Sequence, residues 1–430
     1  MWPWLLLAWL GAATPDPALS LIRAAATHAP DIAVTRAQAR VFGTRIEQAR
    51  ALDDPTAQLS VFPLPPETRA GAQLLGVGVS QRFPWPGVRD LRAEVARADA
   101  DAAALDVDTV IARVIHDARR LAHEVVYLDA YKVILDEERE HLIRHEESAE
   151  ARYVAGNGLA QAMIKIQAEI SRIDAERLDI ETRRAAYWAR LVELTGSEPE
   201  VDLSLLPDGA ALPFLRTGVM WQPSAIASRG VLRDRALTER PALVAKRARL
   251  AAAEHRVVLA EQVRRPDLTA GLRYTFVEPR DDVATPPRDD GDDVLALTLG
   301  VTLPVWKEKN QARLLEAEAE VAAARAALAR EQAVLDRELD DLLERMPRLE
   351  RQLTLYRDVL LVQAEEALAS AEAAYATGAI GALDLLDSEH VLFEVRAAAL
   401  RTVTDLAHAR AALDHTIGRR WDHPSPRPAP

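Results

Sequence analysis

The chain has 430 residues, of which 49% are hydrophobic, 28% charged and 5% aromatic, and its formal net charge is −13. That acidity excludes the basic surface a nucleic-acid partner needs. The complete absence of cysteine excludes disulfides, thiolate metal sites, cysteine nucleophiles and a lipid-modified N-terminal cysteine.

The N-terminus reads MWPWLLLAWLGAATPDPA. Its apolar run, Trp2–Ala13, is too short to cross a bilayer. Gly11 and Ala13 give a small-x-small pattern, so residues 1–13 are expected to be a secretory signal peptide, although the usual leading Lys or Arg is missing. A buried N-terminal helix is the alternative. No later stretch reaches the length of a membrane-spanning helix, so any membrane passage requires a closed barrel.

A helix of about three dozen residues is expected to run to Ala51, where Pro55 stops it and begins an extended segment. Two strands follow, then a very long helix over about 89–155, about 100 Å at 1.5 Å per residue. Gly156–Gly158 supplies a turn, and a second helix returns to Gly196. Residues 197–228, rich in Pro, Gly and Ser, form a linker. The same order then recurs. A helix runs to Val263, Pro266 stops it, two strands follow, and a long helix over 307–377 leads to a turn at Gly378–Gly381 and a return helix to Gly418. Pro347 is expected to kink that long helix, either as a passive irregularity or as a bend where helices repack during opening. The tail, 419–430, is Pro-rich and expected to be disordered.

Landmarks of the two halves align. APDIAVTRAQARVFGTRIEQARALDDPTAQLSV matches RPALVAKRARLAAAEHRVVLAEQVRRPDLTAGL without gaps, pairing Pro30 with Pro241 and Pro55 with Pro266. Further on, Pro84 pairs with Pro304, Tyr153 with Tyr375, Gly156 with Gly378 and Gly196 with Gly418. Several ordered matches point to a tandem duplication, with repeats over 14–196 and 229–418.

The strands alternate with period two. In the third, Leu268, Ala270, Leu272, Tyr274 and Phe276 share one side, against Thr269, Gly271, Arg273 and Thr275. In the fourth, Leu295, Leu297, Leu299, Val301 and Leu303 alternate with Ala296, Thr298, Gly300 and Thr302. The second sets Leu75, Val77 and Val79 against Gly76, Gly78 and Ser80, and the first is less regular. An apolar-out, small-or-polar-in pattern suits a barrel with a wet lumen, with Phe83, Trp85 and Trp306 as an aromatic girdle. A half-buried sandwich fits the alternation equally well. Four strands are too few to enclose a channel, so the barrel reading requires an oligomer.

His141 and His145 lie one helical turn apart, with Glu138 and Glu146 nearby, a spacing that can bind metal. The zinc-protease pattern is absent and the segment is charged all round, so a solvated helix face is the expected reading and no metal site is assigned. Phosphate-binding Gly loops, nucleophile elbows and dinucleotide fingerprints are absent as well, so no enzyme, catalytic residue or cofactor is expected.

The duplicated order, together with VSQRFPWPGVRDLRAEVA, RRPDLTAGLRY and YATGAIGALDLLDSEHVLFEVRAAAL, resembles the bacterial outer-membrane efflux proteins of the TolC type from about Ala18 to Gly418. The resemblance implies a mainly α fold with a small β part. Duplicated long-helix hairpins would form a periplasmic α-helical barrel, and four strands per chain would join a trimeric outer-membrane β-barrel in contact with lipid. It implies a homotrimeric channel working with a periplasmic adaptor (a membrane fusion protein) and an inner-membrane pump, exporting small molecules or metal ions. The rival classes are a periplasmic adaptor and a structural coiled-coil scaffold.

The resemblance also implies that the two turns sit at the periplasmic tip. The matching tip positions are Gly156, Gly158, Gly378 and Gly381, with Tyr153 and Tyr375 beside them for packing or hydrogen bonding. Family members carry carboxylates just past the second turn, projecting as rings into the entrance. The matching positions are Asp384 and Asp387, although acids in the first turn of a helix are favourable there for purely local reasons. Two departures stand out. Ala162 occupies the place where the family can carry another acid, and Ile380 the place of a basic locking residue.

Overall fold

A computed structural model describes residues 17–156, 160–196, 227–262, 264–281, 285 and 287–419. The expected signal peptide, Gly158, Val263, all of the linker but residues 227–228, and all of the tail but Arg419 lie outside the described residues.

In chain order the elements are α1 (Pro17–His28), α2 (Pro30–Arg50), β1 (Thr56–Val61), β2 (Glu67–Thr68), β3 (Gly71–Phe83), α3 (Val88–Val154) and α4 (Ala160–Thr195). The second half contributes α5 (Arg229–Glu239), α6 (Pro241–Gln262), β4 (Asp267–Glu278), β5 (Val294–Thr302), α7 (Lys307–Leu355), α8 (Leu361–Ala376) and α9 (Ala382–Thr416), with a π-turn at Tyr356–Leu360 between α7 and α8.

One expectation is corrected. The opening helix of each half is two helices, because Pro30 and Pro241 begin new ones. Proline is favoured at the first helical position and disfavours α geometry in the residue before it, and Arg240 accordingly adopts ψ 115°. The helix α7 continues through Pro347, and a π-turn follows it at Tyr356–Leu360.

The described residues divide into two units. The first comprises residues 1–35, 107–243 and 332–430, and the second 36–106 and 244–331.

The first unit is built on heptad ladders. On α3, Leu121, Leu128, Leu135, Leu142 and Ala149 recur every seventh residue, all buried. Ile166, Ile173 and Ile180 do the same on α4, and Leu385, Leu392, Ala399, Leu406 and Leu413 on α9. A seven-residue apolar repeat keeps one seam facing the partner helix. Ion pairs flank the seam of the antiparallel α3–α4 pair: Arg139–Asp174 at 2.7 Å, Arg177–Asp136 at 2.6 Å and Arg184–Asp129 at 2.5 Å. Where α3 meets α9, two imidazole pairs face one another, His116 with His415 and His123 with His408. Burial, with the neighbouring imidazole, pushes His123 and His415 each down to about 4.

The glycines paired by the sequence alignment share their backbone conformation. Gly156 and Gly378 both have φ +78°, and Gly196 and Gly418 both have φ +69°. Gly418 closes α9 with a paired cap in which its N–H bonds the His415 carbonyl and the Arg419 N–H bonds the Asp414 carbonyl. A Cβ on Gly418 would lie 2.6 Å from the Arg240 nitrogen and the Glu239 oxygen. Gly418→Ala is therefore expected to destabilise the first unit by about 1–3 kcal/mol, from backbone strain and backbone clash together. Thermal unfolding followed by helical dichroism would measure it, and an unchanged midpoint would refute it.

The second unit holds the sheet, antiparallel throughout, in the order β1-β3-β4-β5, with β2 paired to β3. The register sorts the side chains into rows. One face carries Leu59–Val77–Tyr274–Leu295, then Ala57–Val79–Leu272–Leu297, then Phe83–Leu268–Val301. The other carries Ser60–Gly76–Thr275–Val294, Gln58–Gly78–Arg273–Ala296 and Thr56–Ser80–Gly271–Thr298. The apolar face is open, with Leu59 at 68%, Leu297 at 74% and Leu299 at 76% exposure. No second sheet or helix covers it among the described residues, so the sandwich reading fails.

Candidate functional site

The second turn closes α8 with a paired cap. The Gly378 N–H bonds the Tyr375 carbonyl at 3.0 Å, and the Ala379 N–H bonds the Ala374 carbonyl at 2.9 Å. The φ of +78° at Gly378 makes this cap inexpensive for glycine alone. At the first turn, the Gly156 N–H makes the equivalent bond to the Tyr153 carbonyl at 3.0 Å.

Gly381 then opens α9, and its N–H donates to Asp384 Oδ2 at 3.0 Å. A carboxylate in the first turn satisfies a free N–H and meets the positive end of the helix dipole. The local role is therefore real for Asp384. It does not exhaust the residue, because both Asp384 and Asp387 are exposed. Leu385, between them, is buried at 1%. The heptad thus turns Leu385 into the core and leaves both acids outside it.

The two tip tyrosines differ. Tyr153 is 47% exposed, while Tyr375 is buried with Leu361, Leu368, Leu385 and Leu392. Arg152 of α3 lies over the Tyr375 ring, 3.8 Å from its centroid, and Arg152 Nη2 donates to the Tyr375 carbonyl at 2.5 Å. Ser148 Oγ approaches the Tyr375 hydroxyl at 3.5 Å. Arg152 therefore ties α3 to the second turn through a cation–π contact and a charge-assisted bond. Sequence reading missed it, since nothing in RYVAG distinguishes it from a solvated arginine. Ile380 packs partly buried against the same cluster, and Ala162 is buried on α4. A cleft of about 790 Å³ lies here, lined by Arg152, Ala162, Tyr375, Gly381 and Asp384 among others.

The solvated-face reading of His141 and His145 is corrected. His145 Nε2 lies 2.6 Å from Glu389 Oε1, His141 Nδ1 lies 3.6 Å from the same oxygen, and Glu389 is 1% exposed. The signal was present in the sequence, because Glu389 interrupts the apolar spacing between Leu385 and Leu392. No group of three or more potential ligands is arranged to hold a metal among the described residues.

The sequence model for the outer membrane efflux protein family matches residues 232–419. No curated protein matches the chain significantly. Solved structures similar to the chain include VceC from Vibrio cholerae, an outer membrane protein, at 20% identity and TM-score 0.73, covering 93% of this chain and 96% of that one. The outer-membrane channel OprN is 18% identical with TM-score 0.75, covering 94% and 90%. The MtrE outer membrane channel of Neisseria gonorrhoeae is 18% identical with TM-score 0.71, covering 94% and 89%. These likenesses extend the fold across the first repeat, where the sequence model has no match. The sequence match to the outer membrane efflux protein family thus covers residues 232–419, and nearly the whole chain shares the fold of these outer-membrane channels.

Proposed function

We propose that three copies of the chain close an outer-membrane channel that exports small molecules or metal ions as part of a tripartite efflux system. The observation that carries this is the sheet. One face is apolar and open, the other is small and polar, and the edges β1 and β5 are unpaired along the described strands. An open apolar edge is an aggregation hazard unless another strand covers it. Because the four strands alternate in direction, β5 of one copy meets β1 of the next in antiparallel sense, and head-to-tail rotation closes a ring without edges. At 13, 12 and 9 residues, β3, β4 and β5 reach the length a tilted strand needs to cross a bilayer. No described helix is long and apolar enough to do so. Phe83, at the end of β3, and Trp306, beyond the end of β5, are 41% and 72% exposed and fit an interfacial girdle.

The long helices then belong in the periplasm, with their turns facing an adaptor and an inner-membrane pump. Asp384 and Asp387 form an acidic ring at the entrance, and like charges around a narrow opening favour cations. The chain makes and breaks no bond; the pump supplies the energy.

Purified protein in planar bilayers tests this reading. The expected result is a cation-selective conductance from a trimer that dissociates on heating before electrophoresis. Asp384→Asn with Asp387→Asn is expected to bring selectivity close to that of bulk electrolyte with conductance retained. Unchanged selectivity would remove the acidic ring, and a monomer without conductance would remove the channel.

A further inference from the structure

The cluster around Glu389 lies outside the turns and joins two helices that are distant in sequence. We propose that Glu389 of α9 and the Glu138–His141–His145 face of α3 form a proton-operated clasp, which holds the two helices together on the acid side of neutrality and slackens above it.

The geometry is that of a buried acceptor wanting cations. Glu389 occupies a core position of the α9 heptad, 1% exposed, with Oε1 against both imidazoles. Its Oε2 is buried without a hydrogen-bond partner. A buried carboxylate is tolerated only while positive charge or donors face it. The groups facing the cluster come from three helices. From α3 they are Glu138, His141, Arg144 and His145; from α4, Glu169; from α9, Arg396. Arg396 is itself engaged by Glu137 of α3 at 3.6 Å. The remaining cationic charge on Glu389 therefore depends on the imidazoles.

Both titrating neighbours move the clasp in the same sense. The Glu389 carboxylate beside it, opposed by burial, holds His141 above the ordinary imidazole value. A raised imidazole contributes its stabilisation fully at low pH and loses it as pH rises through the raised value. Burial, then the charge of Glu389, pushes Glu138 up to about 7. Glu138 is thus neutral on the acid side and becomes a second anion facing Glu389 above that point. Burial alone would raise Glu389 too, but the two histidines outweigh it and hold its carboxyl below the usual range. Glu389 therefore stays ionised while the charge on His141 disappears. In the other imidazole pairs between α3 and α9, burial lowers all four rings, and His123 and His415, at about 4, are neutral between about pH 6 and pH 8.5.

The helix pair carries this clasp whether or not three chains close a duct, so a distance measured on the purified full chain tests it separately from transport. The absence of native cysteine allows spin labels at Glu147→Cys and Val391→Cys, both exposed positions. The labelled chain is diluted with unlabelled chain and measured by pulsed electron resonance. A single short distance at about pH 6 is expected to give way to a growing longer population toward about pH 8.5. Glu389→Gln, which keeps size and removes the charge, is expected to abolish the pH response, and His145→Gln to weaken it. A distribution that is the same at both pH values in the unsubstituted background, or a full pH response retained in Glu389→Gln, would overturn the clasp.

Discussion

A chain carrying Leu297→Arg and Leu299→Arg is expected to be lost from the outer-membrane fraction and to give no heat-sensitive trimer on a gel. Both leucines stand in the apolar rows of β5, paired with Leu272 and Ala270 of β4, and are 74% and 76% exposed. In a water-soluble protein such positions would welcome arginine. In a lipid-facing strand each arginine near the bilayer midplane costs about 2–4 kcal/mol, falling to about 0–1 near the interface. Two substitutions per chain, repeated in every copy of a ring, exceed the margin by which a folded protein ordinarily survives. The control lies one residue away. Thr298 pairs with Gly271 on the small, polar face, so Thr298→Arg is expected to leave trimer and fractionation intact and to alter conductance instead. Normal fractionation of the double arginine variant would show that lipid does not cover this face. Loss of the Thr298 variant as well would show that β5 tolerates no arginine on either side, and the assignment of faces would fall.

The contrast between those neighbours was legible in the sequence, because period-two alternation survives in Leu295–Leu303 without any structure. What alternation alone could not decide was whether the apolar side met lipid or a second sheet. That required the register, which lines up leucines across strands far apart in the chain, and the finding that nothing described covers them. The helices divide similarly. The long hairpins and their Gly turns were readable from spacing, and Gly156 and Gly378 share the same φ of +78°. The break before Pro30 and Pro241 was readable in principle, but a helical pattern on both sides concealed it. Polar residues fared worst. A heptad gives the direction a side chain faces and not what it meets there. Arg152 looks like an ordinary charge in a helix rich in them, and only its contact with α8 makes it a link; the odd position of Glu389 in its heptad was visible, but not the α3 imidazoles that it meets. Asp384 illustrates the opposite difficulty, since one carboxylate serves as a helix-end acceptor and is still free to face an entrance.

Removing Asp414 is expected to have the largest single effect on stability. Asp414 Oδ2 lies 3.1 Å from Arg119 Nη1, with the two side chains 5% and 11% exposed, and Arg419 Nη1 lies 3.5 Å from Oδ1. This pair links the end of α9 to α3 between the two imidazole pairs. Asp414→Ala removes one partner of this buried pair, which typically costs about 3–5 kcal/mol, whereas replacing both partners of such a pair by apolar residues of similar volume is often neutral. Arg119→Met with Asp414→Leu is therefore expected to recover most of what Asp414→Ala loses. The neighbourhood amplifies the single substitution. Burial already lowers both His116 and His123, and the Arg119 charge acts in the same direction. Without the Asp414 carboxylate, the Arg119 charge weighs more heavily against protonation of either imidazole. Loss of helical dichroism on heating, compared across the two single variants and the double, yields the coupling directly. A loss below about 1 kcal/mol in Asp414→Ala would mean that water reaches Arg119. The α3–α9 contact would then be held by its leucine ladder alone.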